Sequence, residues 1–379
     1  MLASGKSAPR VALVHDWITT FRGGERVLHQ LVDIFPSAHL YTLIHIPKTS
    51  SDAIDSLKPI SSLLGGPIVR HHYRRLAPFF APSVVQNFRL LDYDLVISSS
   101  HSFAKGVTVK PGVPHVCYCL TPIRYVWGQE GAYFGNSTFR ALLEPLALEP
   151  LRQWDRETSH PRKITKVIAS SGYIAERIKR AWERESTIVY PGVDLERFHF
   201  APRRRENFFL LVGGFVPYKA EGLAIEAFNR LKLPLVVAGD GPSRKKIQLR
   251  ARDNIRFVGR ISDAELGELY STCRALIYPQ EEDFGMIAVE AQGAGAPVIA
   301  LGRGGALETV IPAGQNEPTG VFFREPTVES LIEAINEFVR ISSSFDSGTI
   351  SKNAQRFSPE QFKTNIEKFV EPLIDSPNR

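Results

Sequence analysis

Three cysteines in 379 residues leave no disulfide framework to hold this chain together. Two of them, Cys117 and Cys119, alternate in HVCYCL. On a strand they share one face and read as small buried side chains, because no metal-ligating partners stand near them. Such sparing use suits a reducing cytosol. No apolar run approaches the ~18–20 residues that span a bilayer. The opening MLASGKSAPR has neither the apolar stretch nor the cleavage pattern of a secretory leader. A cytoplasmic protein is expected, with at most peripheral contact to the cytoplasmic face of a membrane. No internal repeat, low-complexity tract or nucleic-acid motif is present. No Gly-x-Gly-x-x-Gly turn follows a strand and opens a helix, which argues against a Rossmann dinucleotide cofactor. The Gly-Asp-Gly at 239–241 runs into Pro242 instead. No lysine stands in a context that suggests a pyridoxal group, so no cofactor is expected.

The length predicts about two domains of roughly 150 residues each. Hydrophobic residues at 43% and charged residues at 23% are enough for two ordinary globular cores. A net charge of +6 favours anionic partners: nucleotides, phosphorylated lipids or an anionic surface. The basic and aromatic stretch HHYRRLAPFFAP, residues 71–82, could meet a membrane or a lipid-linked acceptor, or be a solvated basic face.

Short β-branched runs alternate with helical patterns. Strands are predicted at 11–15, 39–44, 94–98, 115–119, 165–169 and 187–190, then at 208–212, 235–238, 255–258, 275–278 and 298–300. Helices are predicted at 25–35, 222–230, 264–272, 327–339 and 359–374. Alternation of this kind implies parallel sheets covered by helices. PGVDLERFHFAPRRREN, residues 191–207, has no periodicity, and the linker is placed there. Its arginines 203–205 read as solvated. Domains are expected at 1–195 and 206–357, with a final helix within 358–379 packing on the first. Ligands of such sheets bind beyond the carboxyl ends of strands, so two facing units would meet across a cleft.

The densest chemistry lies in YPQEEDFGMIAVEAQGAGAPVIA, residues 278–300. A strand ends, an acidic loop follows, and Gly285 opens a helix. A helix start presents N–H groups and a positive dipole end, which suits a diphosphate. Glu282 precedes that helix and Glu290 lies on it, roughly 10 Å apart if the segment between is mostly helical. A carboxylate can accept from two neighbouring hydroxyls. On spacing alone, a sugar-nucleotide site and two solvated glutamates stand level. Gly23 and Gly24, read as lying between the first strand and first helix, would let a diphosphate approach the backbone. His101 closes an SSSH run after a strand and is read either as an acceptor-side residue or as structural. Asp92-Tyr93-Asp94 looks like a metal-binding Asp-x-Asp but leads straight into a strand, and it is read as a strand start.

The 278–300 segment resembles the Glu-x7-Glu signature of retaining glycosyltransferase family 4. VALVHDWITTFRGGERVLHQL, SSSHSFAKGV, CYCLTPIRYVW, ASSGYIAERI, VGGFVPYKAEGLAIEAF, VAGDGP, FVGRISDAEL and LGRGGALETV resemble further family segments, in order. The nearest subgroup is of bacterial mannosyltransferase-like enzymes of surface-polysaccharide assembly. The resemblance implies a GT-B fold: two Rossmann-like doubly wound domains facing a cleft, acceptor mostly on the first and donor mostly on the second. It implies a retaining, metal-independent hexosyltransferase using a nucleotide sugar, GDP-mannose foremost, on a lipid-linked glycan acceptor. By position, Glu290 would hold ribose hydroxyls, Glu282 the transferred sugar, and Phe284, Gly285 and Met286 would offer backbone N–H groups. Lys219 would neutralise the departing diphosphate, and Ser171 matches a serine near the ligand.

Two departures stand out. Gly214 occupies a position where most relatives carry an arginine, and Arg260 or Arg303 is the expected substitute. Leu120 stands where the subgroup usually has a histidine. Either the donor lacks a polar group there, as in a 6-deoxyhexose, or a neighbour such as Arg124 supplies the contact. Two other classes remain: a non-catalytic nucleotide-sugar-binding subunit and a sugar-nucleotide epimerase.

Overall fold

The computed structural model describes residues 8–62, 80–128, 138–198, 203–215 and 220–375. The chain divides into two compact units, Met1–Gly192 with Phe362–Arg379, and Val193–Gln361.

The first unit is built on β1 (Val11–Ile18), β2 (His39–His45), β3 (Ile60–Ser61), β5 (Leu95–Ser100), β7 (His115–Cys119), β8 (Lys166–Ala169) and β9 (Thr187–Ile188). They form one sheet in the order β3-β2-β1-β5-β7-β8-β9, with every pairing parallel. Short β4 (Arg89–Leu90) and β6 (Thr108–Val109) pair apart from it. The β1 run VALVHDWI is buried almost throughout, as expected of a central parallel strand covered on both faces. Leu13, Val27, Leu31 and Ile97 meet in one core on one face, and Val14, Val96, Phe103 and Val126 in another. The final helix, Pro359–Asp375, lays Phe362, Ile366 and Val370 into the first of these cores.

The second unit holds β10 (Phe209–Gly213), β11 (Leu235–Gly239), β12 (Ile255–Gly259), β13 (Leu276–Tyr278), β14 (Val298–Leu301) and β15 (Gly320–Phe323). Their order is β12-β11-β10-β13-β14-β15, again all parallel. In each sheet the chain leaves its first strand one way and later returns to build the other side. The reversal falls between β1 and β5, and between β10 and β13. Such switch points are where loops part and ligands bind in open α/β sheets.

Two expectations change. The stretch read as a linker is largely part of the second unit. Val193 donates its N–H to the Phe357 carbonyl, and Leu195 and Phe198 are buried. Arg205, read as solvated, donates to the carbonyls of Tyr270, Ser271, Cys273 and Gly295 and to the Ser347 hydroxyl. A guanidinium carries five N–H donors in a rigid fork, so it can tie several chain segments at once. Strand β15 was not foreseen, since GVFF is short and opens on glycine.

Candidate functional site

The first constellation lies at the carboxyl ends of β1, β5 and β7. Asp16 on β1 is fully buried. One carboxylate oxygen accepts the N–H groups of His101 (2.7 Å) and Ser102 (3.0 Å); the other accepts those of Phe103 and Ala104 (2.8 Å). An ionised carboxylate taking four backbone donors pins the loop after β5. That loop carries His101, whose Nδ1 lies 3.6 Å from Asp16 and whose ring meets Trp17 edge-on at 4.8 Å.

Gly23 and Gly24 are not in the loop before the first helix but are its first two residues, Gly23–Ile34 being helical. Its N-cap is Arg22, whose N–H donates to Glu25. A Cβ built on Gly24 would meet Leu120 at 3.4 Å, His15 at 3.7 Å and His101 at 3.9 Å. Leu120 and His101, picked out separately in the sequence, therefore converge on one point above the helix start. His15 joins them.

His15 was missed in the sequence. It is 1% exposed, and the Ser99 backbone acts on its ring as a hydrogen-bonding neighbour. Burial holds its pKa below the ordinary histidine value, against the charges of Glu25 and Asp16. A polar pair, His-Asp, at the end of an otherwise apolar strand was the signal that could have found it.

Ser171 proves to be a helix cap: it is buried, and its hydroxyl accepts the Ile174 N–H at 3.1 Å to start the helix Gly172–Trp182. Asp94 accepts the Arg10 N–H at 2.8 Å where β5 begins, as the strand-start reading requires. Cys117 and Cys119 are both buried in one cluster.

The second constellation lies at the switch point between β10 and β13. Glu282 is held through both oxygens: the Tyr278 hydroxyl donates to Oε2 at 2.8 Å and the Gln280 amide to Oε1 at 3.1 Å. Tyr278 is buried, and its pKa stands well above the ordinary value, first from burial and then from the Glu282 charge. It therefore remains a donor. Neither partner was singled out in the sequence.

Gly285 has φ +94°, and a Cβ there would come within 2.9 Å of the Tyr278 hydroxyl. It caps the helix Met286–Gly293, on which Glu290 is buried and within reach of the Tyr270 hydroxyl at 3.4 Å. Phe284 packs on Phe357. The turn of Gly304 and Gly305 presses on this loop: Cβ atoms there would strike the Glu282 and Phe284 carbonyls at 2.4 and 2.3 Å. The Gly305 N–H donates to the Glu282 carbonyl at 2.8 Å. The Glu-Asp-Phe-Gly turn is thus clamped from both sides.

Gly214 follows β10, and a Cβ there would touch nothing within 4 Å. The Gly-Asp-Gly loop serves this turn, since a Cβ on Gly241 would strike the Gly214 carbonyl at 2.0 Å. Lys219 lies outside the described residues, as does 71–79 of the basic aromatic stretch. Of the two cations expected to compensate for Gly214, Arg303 is engaged by Glu325 at 2.7 Å. Arg260 is exposed just beyond β12. Arg124 is half-buried beyond β7. A separate cavity of about 400 Å³ is lined by Phe208, Pro234 and Asn254, which precede β10, β11 and β12. It sits at the amino ends of these strands, opposite the clamped loop.

Two family models match adjacent stretches of the chain. That described as Glycosyltransferase Family 4 covers residues 21–197, and that described as Glycosyl transferases group 1 covers 193–357. An uncharacterized glycosyltransferase of Methanocaldococcus jannaschii is 31% identical over 222 residues, 55% of this chain and 60% of that relative. The O-antigen chain mannosyltransferase C of Escherichia coli is 27% identical over 222 residues, 54% of this chain and 58% of that relative. The matched stretch thus spans about three fifths of the length of these two relatives. Among solved structures, Anabaena Alr3699/HepE in complex with UDP aligns with a TM-score of 0.69 at 16% identity, covering 96% of this chain and 100% of that one.

Proposed function

We propose, with a glycosyltransferase family 4-like chain of GT-B fold as the premise, that this protein moves a hexose from a nucleotide sugar to a glycan hydroxyl. The observation that carries this reading is Glu282, fixed by Tyr278 and Gln280 beside a glycine-capped helix that bears Glu290. A carboxylate so oriented can accept from a sugar hydroxyl. The carboxylate is pre-oriented and need not reorganise as the sugar arrives. The N–H groups of Phe284, Gly285 and Met286, at the helix start, suit a diphosphate. Glu290, buried beside Tyr270, would take the ribose hydroxyls. Lys219 would meet the charge that develops on the leaving diphosphate, the kind of electrostatic help that costs no rearrangement during the reaction. None of these roles calls for a metal.

The donor we favour is GDP-mannose, with retention of configuration and a lipid-linked glycan as acceptor. The Escherichia coli relative, a mannosyltransferase of the O-antigen chain, supports the sugar and the acceptor class. The net charge of +6 is compatible with peripheral contact at an anionic membrane surface. A second reading is a nucleotide-sugar-binding subunit without turnover, favoured by Gly214 and by the pairing of Arg303 with Glu325.

Thermal shift against GDP, UDP, dTDP and ADP, then their sugars, tests the reading first. A ligand at 100-fold excess over Kd stabilises by about 2.7 kcal/mol. No response to any of them would sink it. Transfer should then fall about 100-fold or more in Glu282→Gln and Lys219→Ala, with folding unchanged. Tight binding without turnover in the unsubstituted protein would favour the binding subunit.

A further inference from the structure

The surplus of positive charge is concentrated in one segment of the second unit. Residues 244–260 hold seven lysines and arginines against one acid, Asp253, a surplus of six. The net charge of the whole chain is +6, so the remaining residues balance. The helix Arg244–Gln248 buries Ile247 and turns Lys245, Lys246 and Gln248 outward. Leu249 follows at 88% exposure, beside exposed Arg250 and Arg252. The turn that presents them is pinned. Asn229, on the helix Glu221–Leu231, donates its amide to the Arg250 carbonyl at 2.7 Å and accepts the Arg252 N–H at 3.0 Å. Asn254 donates to the Phe228 and Leu233 carbonyls at 3.0 and 2.7 Å. Arg244 meets Asp240 at 3.7 Å, whereas no ion pair engages Lys245, Lys246, Arg250 or Arg252 among the described residues.

We propose that Lys245, Lys246, Leu249, Arg250 and Arg252 form a surface of the second unit that seats on an anionic lipid bilayer, with Leu249 entering the headgroup boundary. This surface gives a place to the peripheral contact proposed above, on which it rests, and is independent of the donor chemistry. Four cations close together in the chain find their counter-charge in acidic headgroups. Each cation near such a surface contributes roughly five-fold to partition. Leu249 decides between anionic partners. An apolar side chain has nothing to bind on a nucleic-acid phosphate backbone, and no Phe, Tyr or Trp lies within 244–256 to stack on a base. At the boundary between headgroups and acyl chains the same leucine leaves water. Basic residues around an exposed leucine therefore fit a lipid surface better than a nucleic acid. Because every residue involved belongs to one unit, the surface exists whatever the arrangement of the two.

Flotation of the full chain with vesicles tests this. The protein should bind phosphatidylcholine vesicles containing about one third phosphatidylglycerol and leave pure phosphatidylcholine vesicles unbound. Lys245→Gln, Lys246→Gln and Arg250→Gln together should weaken that binding about 100-fold. Arg162→Gln, Lys163→Gln and Lys166→Gln, exposed in the first unit, remove the same charge and should weaken it less than about ten-fold. Equal losses in the two triple variants would assign the binding to net charge and overturn the surface. A second measurement needs no loss of charge. Cys117, Cys119 and Cys273 are buried, so an environment-sensitive thiol label on a Leu249→Cys variant goes to the surface position. Its emission should shift to the blue on the mixed vesicles; bound protein with unmoved emission overturns the role of Leu249 and with it the proposal. Binding to duplex DNA without binding to the mixed vesicles also overturns it, in favour of a nucleic acid. A protein that responds to a sugar nucleotide yet binds no vesicle overturns the surface and leaves the donor reading intact. One that binds the vesicles through this surface but no sugar nucleotide keeps the surface and sinks the donor reading.

Discussion

Asp16 ties β1 to a loop 85 residues away through four backbone N–H groups. Replacing one carboxylate oxygen by an amide would turn donors toward donors and strand them in a buried site. Asp16→Asn should cost about 3 kcal/mol, read as a lower urea midpoint, and should release His101 from its place. An unchanged midpoint would mean that the loop holds itself. His115 makes a separate prediction about pH. It is buried, Nδ1 lies 3.1 Å from the Lys163 carbonyl and Nε2 lies 2.9 Å from the Ser98 hydroxyl. A carbonyl only accepts, so Nδ1 carries the proton and Nε2 accepts from Ser98. Burial, with help from the Lys105 charge, pulls its pKa from 6.5 down to about 4. The neutral form is thus favoured by folding. Its stabilisation is complete above pH 6.5 and is lost as pH falls toward 4, because only the unfolded chain takes up the proton. The loss should approach about 3 kcal/mol. Urea titrations at pH 7, 5.5 and 4.5 should show a shallower fall in His115→Gln than in wild type. Equal slopes would assign the acid loss to other groups.

The element that matters most is the turn from β13 into the helix Met286–Gly293. It depends on Gly285, whose φ of +94° disfavours a side chain and whose neighbour is the Tyr278 hydroxyl. Gly285→Ala adds both backbone strain and a contact at 2.9 Å. It should destabilise the second unit by about 1–2 kcal/mol and displace Tyr278 from Glu282. Donor affinity should fall with it, measurable by calorimetry on the folded variant. Gly214→Arg makes a useful contrast, because a side chain there has room. A second element-level tie lies in the first unit. Lys105 pairs with Asp155 at 2.6 Å, and Trp127 and Trp182 donate to the same carboxylate at 2.7 and 2.6 Å. That arrangement joins the segment after β5 to the helices Thr138–Thr158 and Gly172–Trp182.

Across the chain as a whole, the two units can be read separately in solution. All four tryptophans, Trp17, Trp127, Trp154 and Trp182, belong to the first unit. Phe362, Ile366 and Val370, 1%, 1% and 3% exposed, bring the far end of the chain into that unit's core. Each buried side chain of this size is worth about 1.5–3 kcal/mol. Ending the chain before Pro359 should therefore lower the tryptophan-detected stability by on the order of 5 kcal/mol. A transition from the second unit, followed by far-UV circular dichroism, should persist. Coincident loss of both signals would show that the units unfold as one.

Periodicity and burial are local properties of a chain, and they located most of the architecture. The range expected for β7, 115–119, is the range observed, and β1, β2, β11 and β14 differ by at most a few residues at their ends. The alternation of strands with helices was enough to imply two parallel sheets. The turn that carries Glu282, Gly285 and Glu290 was legible because strand, loop and helix start follow one another closely in the chain. What surrounds them was not. Arg205 sits in a run of arginines that looks solvated, yet it reaches acceptors 65 to 142 residues away. His15 shows only as half of a polar pair on an apolar strand until β5 sets Ser99 beside it and the helix start sets Gly24 above it. Hydrogen bonds and steric gaps between distant segments depend on tertiary contact, and no local pattern encodes them.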